Sequence, residues 1–258
     1  MIADTLGGRG SVTGVDLSEE RVSACRNIIR KYKAQSCRLF RGDATSFCEL
    51  PPQADDQVVR EKGSQRQRAR KRAKQQQQGE HTLVWSSCPQ VWAKGGEKTS
   101  RSEQGAAGQA ISEGGQAHGA ACQQLYDRVL VDAECTHDGS IKHIAKFREG
   151  GWGQFEAKFL SRLNDLEGLQ RGLLRQGFRL VKPGGVLVYS TCSMTRAQNE
   201  DVVEWLLREE VTATVVEIEQ ARGWPCRPGG IQHSVRLDPK TSETSALFIC
   251  KLVKRVST

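Results

Sequence analysis

Two cysteines and three aspartates stand where an α/β chain concentrates its chemistry. Cys192 lies in Ser190-Thr191-Cys192-Ser193, straight after the apolar run Val186 to Tyr189, and Cys135 lies in Asp132-Ala133-Glu134-Cys135, straight after another apolar run. A lone free cysteine is most often a small buried hydrophobe. Two of them at the mouths of two strands point instead to thiol chemistry. A thiolate is the natural nucleophile toward C6 of a pyrimidine; addition there turns C5 into an enamine-like carbon that can attack an electrophilic methyl group, and a second group must then remove the C5 proton or help free the enzyme. Asp16 and Asp132 end two β-prone runs, and Asp43 sits in the loop beyond a third. A carboxylate accepts hydrogen bonds in pairs, so one that ends a strand of a nucleotide-binding unit commonly takes a ribose hydroxyl pair. Any one of these acids alone reads as a solvated strand end or helix cap; three together favour a functional reading.

The elements that must position these residues follow from periodicity. Ser11 to Asp16 is a short β-prone run, Ser18 is the natural N-cap of the next helix with acids in its first turn, and Val22, Cys25, Ile28, Ile29 and Tyr32 recur at helical spacing. Cys37 to Arg41 reads as a second strand, ended by Gly42-Asp43-Ala44. Tyr126 to Asp132 is a near-continuous apolar strand of the kind buried on both faces of a parallel sheet. A helix is expected over Phe155 to Leu180, a turn at Lys182-Pro183-Gly184-Gly185, a strand over Val186 to Tyr189 and a helix from about Ala197 to Arg208. Val211 to Ile218 and Ala246 to Val253 supply two later strands. Strands alternating with helices predict a doubly wound, Rossmann-like α/β sheet with its sites beyond the carboxyl ends of the strands.

Between these ordered stretches the pattern collapses. Arg60 to Lys74 carries eight basic residues and one acid, so this run accounts for nearly all of the formal net charge of +8 on the 258 residues. A four-glutamine tract and a Gly/Ser/Gln/Ala-rich stretch follow, a composition too polar to order itself by burial. The expected organisation is therefore residues 1–50 and 123–258 as two parts of one domain, separated by a disordered basic insertion over 51–122. Within the insertion, Leu83-Val84-Trp85 is expected to be a strand remnant or an anchor. The basic run favours acidic partners, nucleic acid first among them, although such runs are commonly just solvated. No apolar run approaches the ~20 residues of a membrane-spanning helix, and no signal peptide is read. Nine cysteines without a C-x-x-C pair predict free thiols in a reducing, intracellular compartment, and weigh against a redox protein. The basic residues 66–74 fit a nuclear location without distinguishing it from cytoplasm or an organelle. His137 and His143 read as polar loop residues, so no metal is expected, and Trp152 reads as a packing residue or part of a substrate entrance.

Asp127 to Cys135, Leu180 to Ser193 and Gln198-Asn199-Glu200 resemble the NSUN/Sun (Fmu-type) family of RNA cytosine-C5 methyltransferases, and Arg236-Leu237-Asp238-Pro239 with Thr244 to Leu252 resembles its closing segment. The resemblance implies S-adenosylmethionine as cofactor and RNA, tRNA or rRNA, as partner. It makes Cys192 the nucleophile and Cys135 the cysteine that assists product release. It has Asp132 facing the cytosine and the reacting end of the methyl donor, Asp16 holding the ribose and Asp43 near the adenine. Two departures accompany it. Glu134 stands where the family has proline before the second cysteine. The family also opens this domain with a strand and a glycine-rich Ala-Pro-Gly-Gly-Lys loop, whereas Met1 to Leu6 resemble the tail of the helix that follows that loop. The sheet is thus expected to lack its first strand, Gly7-Gly8-Arg9-Gly10 to be a helix-ending turn, and the donor to bind weakly. The rival expectation is a catalytically inactive RNA-binding or scaffold protein.

Overall fold

Ser18 opens the first long helix as its residue type predicts, accepting from the Arg21 N–H at 3.3 Å. The computed structural model describes residues 2–7, 9–52, 81–86, 125–151, 153 and 163–256. The basic run, the glutamine tract, Trp152 and the beginning of the helix expected from Phe155 lie outside the described residues. The chain divides into two units: Met1–Gly42 with Leu50–Gln124, and Asp43–Glu49 with Leu125–Thr258. No described helix is long and apolar enough to cross a membrane.

The first unit begins with α1 (Ile2–Leu6), which ends at Gly7 in left-handed conformation (φ 55°), where glycine carries no Cβ penalty. β1 (Val12–Asp16) leads through α2 (Glu19–Lys31) to the parallel strand β2 (Cys37–Gly42), and β3 (His81–Ser86) adds antiparallel to β2. The strand expected around Leu83 is thus present. Val22, Cys37, Leu39 and Phe40 are buried, and Arg38 donates to Thr13 Oγ1 and to the Leu50 carbonyl. Further along the apolar stripe that α2 begins, Ile29 is half-buried, whereas Ile28 is 57% and Tyr32 67% exposed.

The second unit is built on a six-stranded mixed sheet. β4 (Tyr126–Asp132) pairs parallel with β5 (Val181–Thr191), and β9 (Leu247–Lys254) pairs antiparallel with β5. β6 (Ala213–Val215) and β8 (Val235–Leu237) both pair with β9, and β7 (Arg227–Pro228) pairs with β8. The helices are α3 (Ile141–Gly150), α4 (Leu163–Leu180), α5 (Glu200–Glu209) and the short α6 (Pro239–Ser242). α4 buries Leu166, Gln170, Leu174 and Phe178, a spacing of four that keeps one face inward. Gly177 lets that face approach the sheet, since a Cβ there would lie 2.7 Å from Val131 Cγ2. Val202, Val203 and Leu206 of α5 complete the core with Leu187, Tyr189, Phe248 and Leu252.

Two expectations need correction. Tyr126–Asp132 is not buried on both faces: Leu130 is 55% exposed, and Val131 is the one buried residue of the strand. Among the described residues β4 is an edge strand of its sheet, with α4 packed against the Val129/Val131 face, so alternate residues turn outward. The turn at Lys182–Gly185 does not precede the strand but interrupts it. Tyr126 pairs with Val181 and Arg128 with Val186, so these residues bulge out between two paired stretches. Gly184 (φ 76°) makes the bend, and at Gly185 a Cβ would lie 2.8 Å from the Lys182 carbonyl oxygen and 2.9 Å from that of Asp127.

The chain leaving β5 is fastened by three consecutive side chains. Asn199 donates to the Ser193 and Thr195 carbonyls at 2.9 and 2.8 Å and accepts from Thr191 Oγ1 at 2.5 Å. Gln198 accepts from Thr136 N and donates to Thr136 Oγ1, both at 3.0 Å, which ties the loop after β5 to the loop after β4. Glu200, at the first turn of α5, takes a bidentate pair from Arg236 at 3.0 and 2.5 Å with both side chains at least nine-tenths buried. Arg236 also donates to the Met194 carbonyl. Burial works against ionisation of Glu200, but Arg236 and the Gly230 N–H outweigh it and hold the carboxyl below the usual carboxylate value.

Removing one member of a buried ion pair leaves the other charge stranded, which costs about 3–5 kcal/mol. Glu200→Ala is expected to lower the unfolding free energy by that amount, read as a lower urea midpoint with little change in the slope that reports exposed surface. Because the carboxyl is depressed in the folded state, its contribution is present above the unfolded-state value near ~4.3 and is lost as pH falls through the folded one. The gap between wild type and variant should therefore shrink in acid; a gap constant down to pH ~3 contradicts the assignment. Gly139→Ala is expected to destabilise by about 1–3 kcal/mol through overpacking, since its Cβ would lie 2.3 Å from Ala246 Cβ and 2.6 Å from the Cys192 carbonyl oxygen. Unfolding of that variant at the wild-type midpoint overturns the reading.

Candidate active site

Because β4 and β5 run parallel, the loops that leave their carboxyl ends emerge side by side, and the cysteines three and one residues past those ends meet there. Cys135 Sγ and Cys192 Sγ lie 3.3 Å apart, both as free thiols. Backbone bonds hold this spacing: Ala133 N to the Ser190 carbonyl at 3.1 Å, Gly139 N to the Cys192 carbonyl at 3.1 Å, and Ala246 N to the Gly139 carbonyl at 2.8 Å. Asp138 reinforces them, accepting from Met194 N at 2.9 Å and from Thr136 Oγ1. Buried Gln170 of α4 donates to the Glu134 carbonyl at 2.8 Å. Glu134, in the place of proline, is itself exposed.

The electrostatics of the pair are asymmetric. With Cys192 Sγ as donor, the hydrogen bond draws the Cys135 thiol well below its ordinary value; burial opposes this and His137 assists it. The same bond pushes Cys192 up, with burial and the negative charges of Cys135 and Asp132 acting in the same direction. Two thiols this close give up one proton readily and the second with difficulty. His137 completes the cluster, with Nδ1 at 3.1 Å from Cys192 Sγ and 3.7 Å from Cys135 Sγ. Its hydrogen bond with Cys135 raises it, against burial. His143 stacks on the His137 ring, centroids 4.5 Å apart, and receives a contact from Ser140 Oγ at 2.9 Å. A thiol, a thiolate and an imidazole in mutual contact can deliver a sulfur nucleophile and store or return a proton beside it.

Asp132 ends β4 at this mouth. Desolvation at the strand end raises its carboxyl above the usual value, with Ser190 Oγ, donating at 3.4 Å, working the other way. The structure thus brings Cys135, Cys192 and Asp132 together, as their placement at strand ends predicts. Asp43 lies in the second unit, exposed, and closes its own turn by accepting from Thr45 N and Thr45 Oγ1, both at 2.8 Å. Asp16 belongs to the first unit. It ends β1 as expected, but its carboxylate accepts from Ser18 N at 2.7 Å and from Arg21 Nε at 3.0 and 2.8 Å. His137 is the residue that sequence reasoning passed over. Its φ of 55° places a non-glycine residue in left-handed backbone, which turns the ring toward the thiols. No spacing rule forecasts that; the only sequence signal is its position two residues past Cys135.

The chain is 33% identical over 140 residues to a tRNA (cytosine(49)-C(5))-methyltransferase of Pyrococcus abyssi, a match covering 51% of this chain and 43% of that protein. It is 39% identical over 95 residues to a mitochondrial tRNA (cytosine(34)-C(5))-methyltransferase of Danio rerio, covering 37% of this chain and 24% of that protein. The chain therefore spans less than half the length of these curated relatives. The fold matches the crystal structure of NSun6 from Pyrococcus horikoshii with SFG at a TM-score of 0.57 and 18% identity, over 99% of this chain and 44% of that one. The likeness is one of fold: the mixed sheet is Rossmann-like. Residues 105–253, more than half of the chain, match the family model of the 16S rRNA methyltransferases RsmB/F. On that match the chain belongs to the RsmB/F family of RNA methyltransferases.

Proposed function

We propose that this chain methylates C5 of cytosine in RNA, tRNA or rRNA, with S-adenosylmethionine as donor and Cys192 as the nucleophile. The observation that carries the reading is the pair of thiols at 3.3 Å, held at the carboxyl ends of two adjacent parallel strands. Cys192 adds to C6. Its proton has two acceptors at hand, the Cys135 thiolate and His137 Nδ1. S-adenosylmethionine, when bound, supplies the electrophilic methyl group. With the Cys192 proton on His137, the Cys135 thiolate takes the C5 proton of the methylated adduct; that C–H electron pair restores the C5–C6 double bond, and the C6–S bond breaks with its pair returning to Cys192. Asp132, with its raised carboxyl, faces the cytosine and can hold a proton toward the ring.

The carboxylates fit the donor unequally. Asp132 is exposed at the strand mouth. Asp16 is placed at a strand end as a ribose-binding carboxylate should be, but Arg21 holds both of its oxygens, so a ribose hydroxyl pair must compete with that guanidinium. Asp43, proposed near the adenine, already uses Oδ1 within its turn. The engagement of Asp16 by Arg21 favours the second reading, an RNA-binding or scaffold protein without turnover. The RNA partner is supported by the charge of residues 60–74 in either case.

Covalent trapping separates these readings. Fluorine at C5 blocks the elimination that frees the thiol, so RNA carrying 5-fluorocytosine should form a gel-stable adduct with the wild-type chain in the presence of S-adenosylmethionine. Cys192→Ala is expected to abolish it. Cys135→Ala should instead accumulate adduct on ordinary RNA. An adduct that survives Cys192→Ala and disappears in Cys135→Ala overturns the assignment of the nucleophile. RNA binding without an adduct in any of the three proteins supports the scaffold reading.

A further inference from the structure

The three donors at the strand mouths also have the chemistry and spacing of a metal centre. Cys135 Sγ, Cys192 Sγ and His137 Nδ1 lie at mutual distances of 3.3, 3.1 and 3.7 Å. They are the one group of three His, Cys, Asp or Glu donors meeting in this way among the described residues. Two thiolate sulfurs and one imidazole nitrogen are the donor set preferred by zinc and its thiophilic relatives. A tetrahedral ion with Zn–S near ~2.3 Å and Zn–N near ~2.0–2.1 Å separates its donors by about 3.5–3.8 Å, so the two distances to Cys192 Sγ need to open by a few tenths of an ångström and the Cys135–His137 distance is already in range. The frame around them is already built. The Cys192 carbonyl is bonded to Gly139 N, Gln198 ties the two loops, and the left-handed backbone at His137 aims its ring at the sulfurs. The stacked His143 ring restricts that imidazole further.

We propose that Cys135, His137 and Cys192 form a site for a thiophilic divalent cation of the zinc class, with water in the fourth position. Binding displaces to solvent whatever protons the two sulfurs and His137 Nδ1 still carry, and forms two metal–sulfur bonds and one metal–nitrogen bond with no change of oxidation state. Both sulfurs are occupied in the metal-bound form, so metal occupancy and addition of a cysteine to a base exclude each other. No short-range motif announces the site, because the third donor is separated from Cys135 by 57 residues. The proposal does not rest on the methylation reading: the three donors coordinate whether or not the chain turns over RNA.

Cobalt(II) is the probe, since a tetrahedral cobalt–thiolate site absorbs in the visible and shows sulfur-to-metal charge transfer in the near ultraviolet. The reduced, chelator-treated full chain is expected to develop both bands with single-site saturation and to lose them on addition of zinc. His137→Asn keeps a residue that tolerates left-handed backbone while removing the imidazole. It should weaken cobalt binding by at least the roughly 10–100-fold that loss of even an outer-shell partner costs. Cys135→Ala should remove most of the charge-transfer intensity, whereas replacing Cys25, Cys48, Cys88 and Cys122 together by Ser should leave both bands in place. X-ray absorption of the zinc-loaded wild-type chain, which needs no variant to fold, should show two sulfurs and at least one imidazole nitrogen in the coordination shell. Bands that are absent from the wild type, that persist unchanged in Cys135→Ala and His137→Asn, or that vanish with the quadruple Ser replacement overturn the proposal, as does a zinc shell without sulfur. An absent adduct when the trapping is run on the chelator-treated, metal-free chain, which still develops the cobalt bands in a separate titration, removes the methylation reading and leaves the metal site standing.

Discussion

The buried pair of Glu200 and Arg236 is the constraint on which the second unit turns. One carboxylate at the start of α5 joins the chain leaving β5 to β8, and the same guanidinium reaches the Met194 carbonyl two residues past Cys192. A charge pair this deeply buried adds little net stability over a well-packed apolar alternative, because desolvation offsets most of the attraction. What it supplies is position. Each partner must be where it is or a charge is left unsolvated, so the loop between Thr191 and Asn199 cannot drift without breaking it. Asn199 and Gln198 extend the same logic with neutral groups, each satisfying backbone or hydroxyl partners that would otherwise be buried and unpaired.

The thiol pair shows how such a frame sets reactivity. Two cysteines in contact share one easily lost proton, and neighbouring charge decides where the anion rests. With Cys192 Sγ as donor, their hydrogen bond lowers the Cys135 thiol and raises Cys192, the proposed nucleophile, which becomes active when its proton moves. His137 adds a second acceptor for that proton at hydrogen-bond distance.

Much of this was legible in the residues. The apolar run ending at Asp132, the one ending before Ser190, and the cysteine just beyond each locate the site, because parallel strands deliver their carboxyl ends to one edge. The Ser18 cap and the Gly7 turn were likewise readable from residue type. What the residues left hidden depends on long-range contacts. Leu130 reads as core but faces outward because, among the described residues, a helix covers only the Val129/Val131 face of β4. Lys182-Pro183-Gly184-Gly185 reads as a turn between elements and is a bulge inside one, since both flanking stretches pair with β4. Gln170 sits in a leucine stripe as if misplaced, and only the fold brings it to the Glu134 carbonyl. His137 depends on a backbone conformation that its neighbours in sequence do not dictate.

The bonds that set the sulfur separation share one property: every donor and acceptor lies between residues 133 and 246, in a single unit. Among the described residues, none of the first unit takes part in them. Substitutions in β1, α2 or β2 can therefore accumulate over evolutionary time without breaking any bond that sets the spacing of the sulfurs.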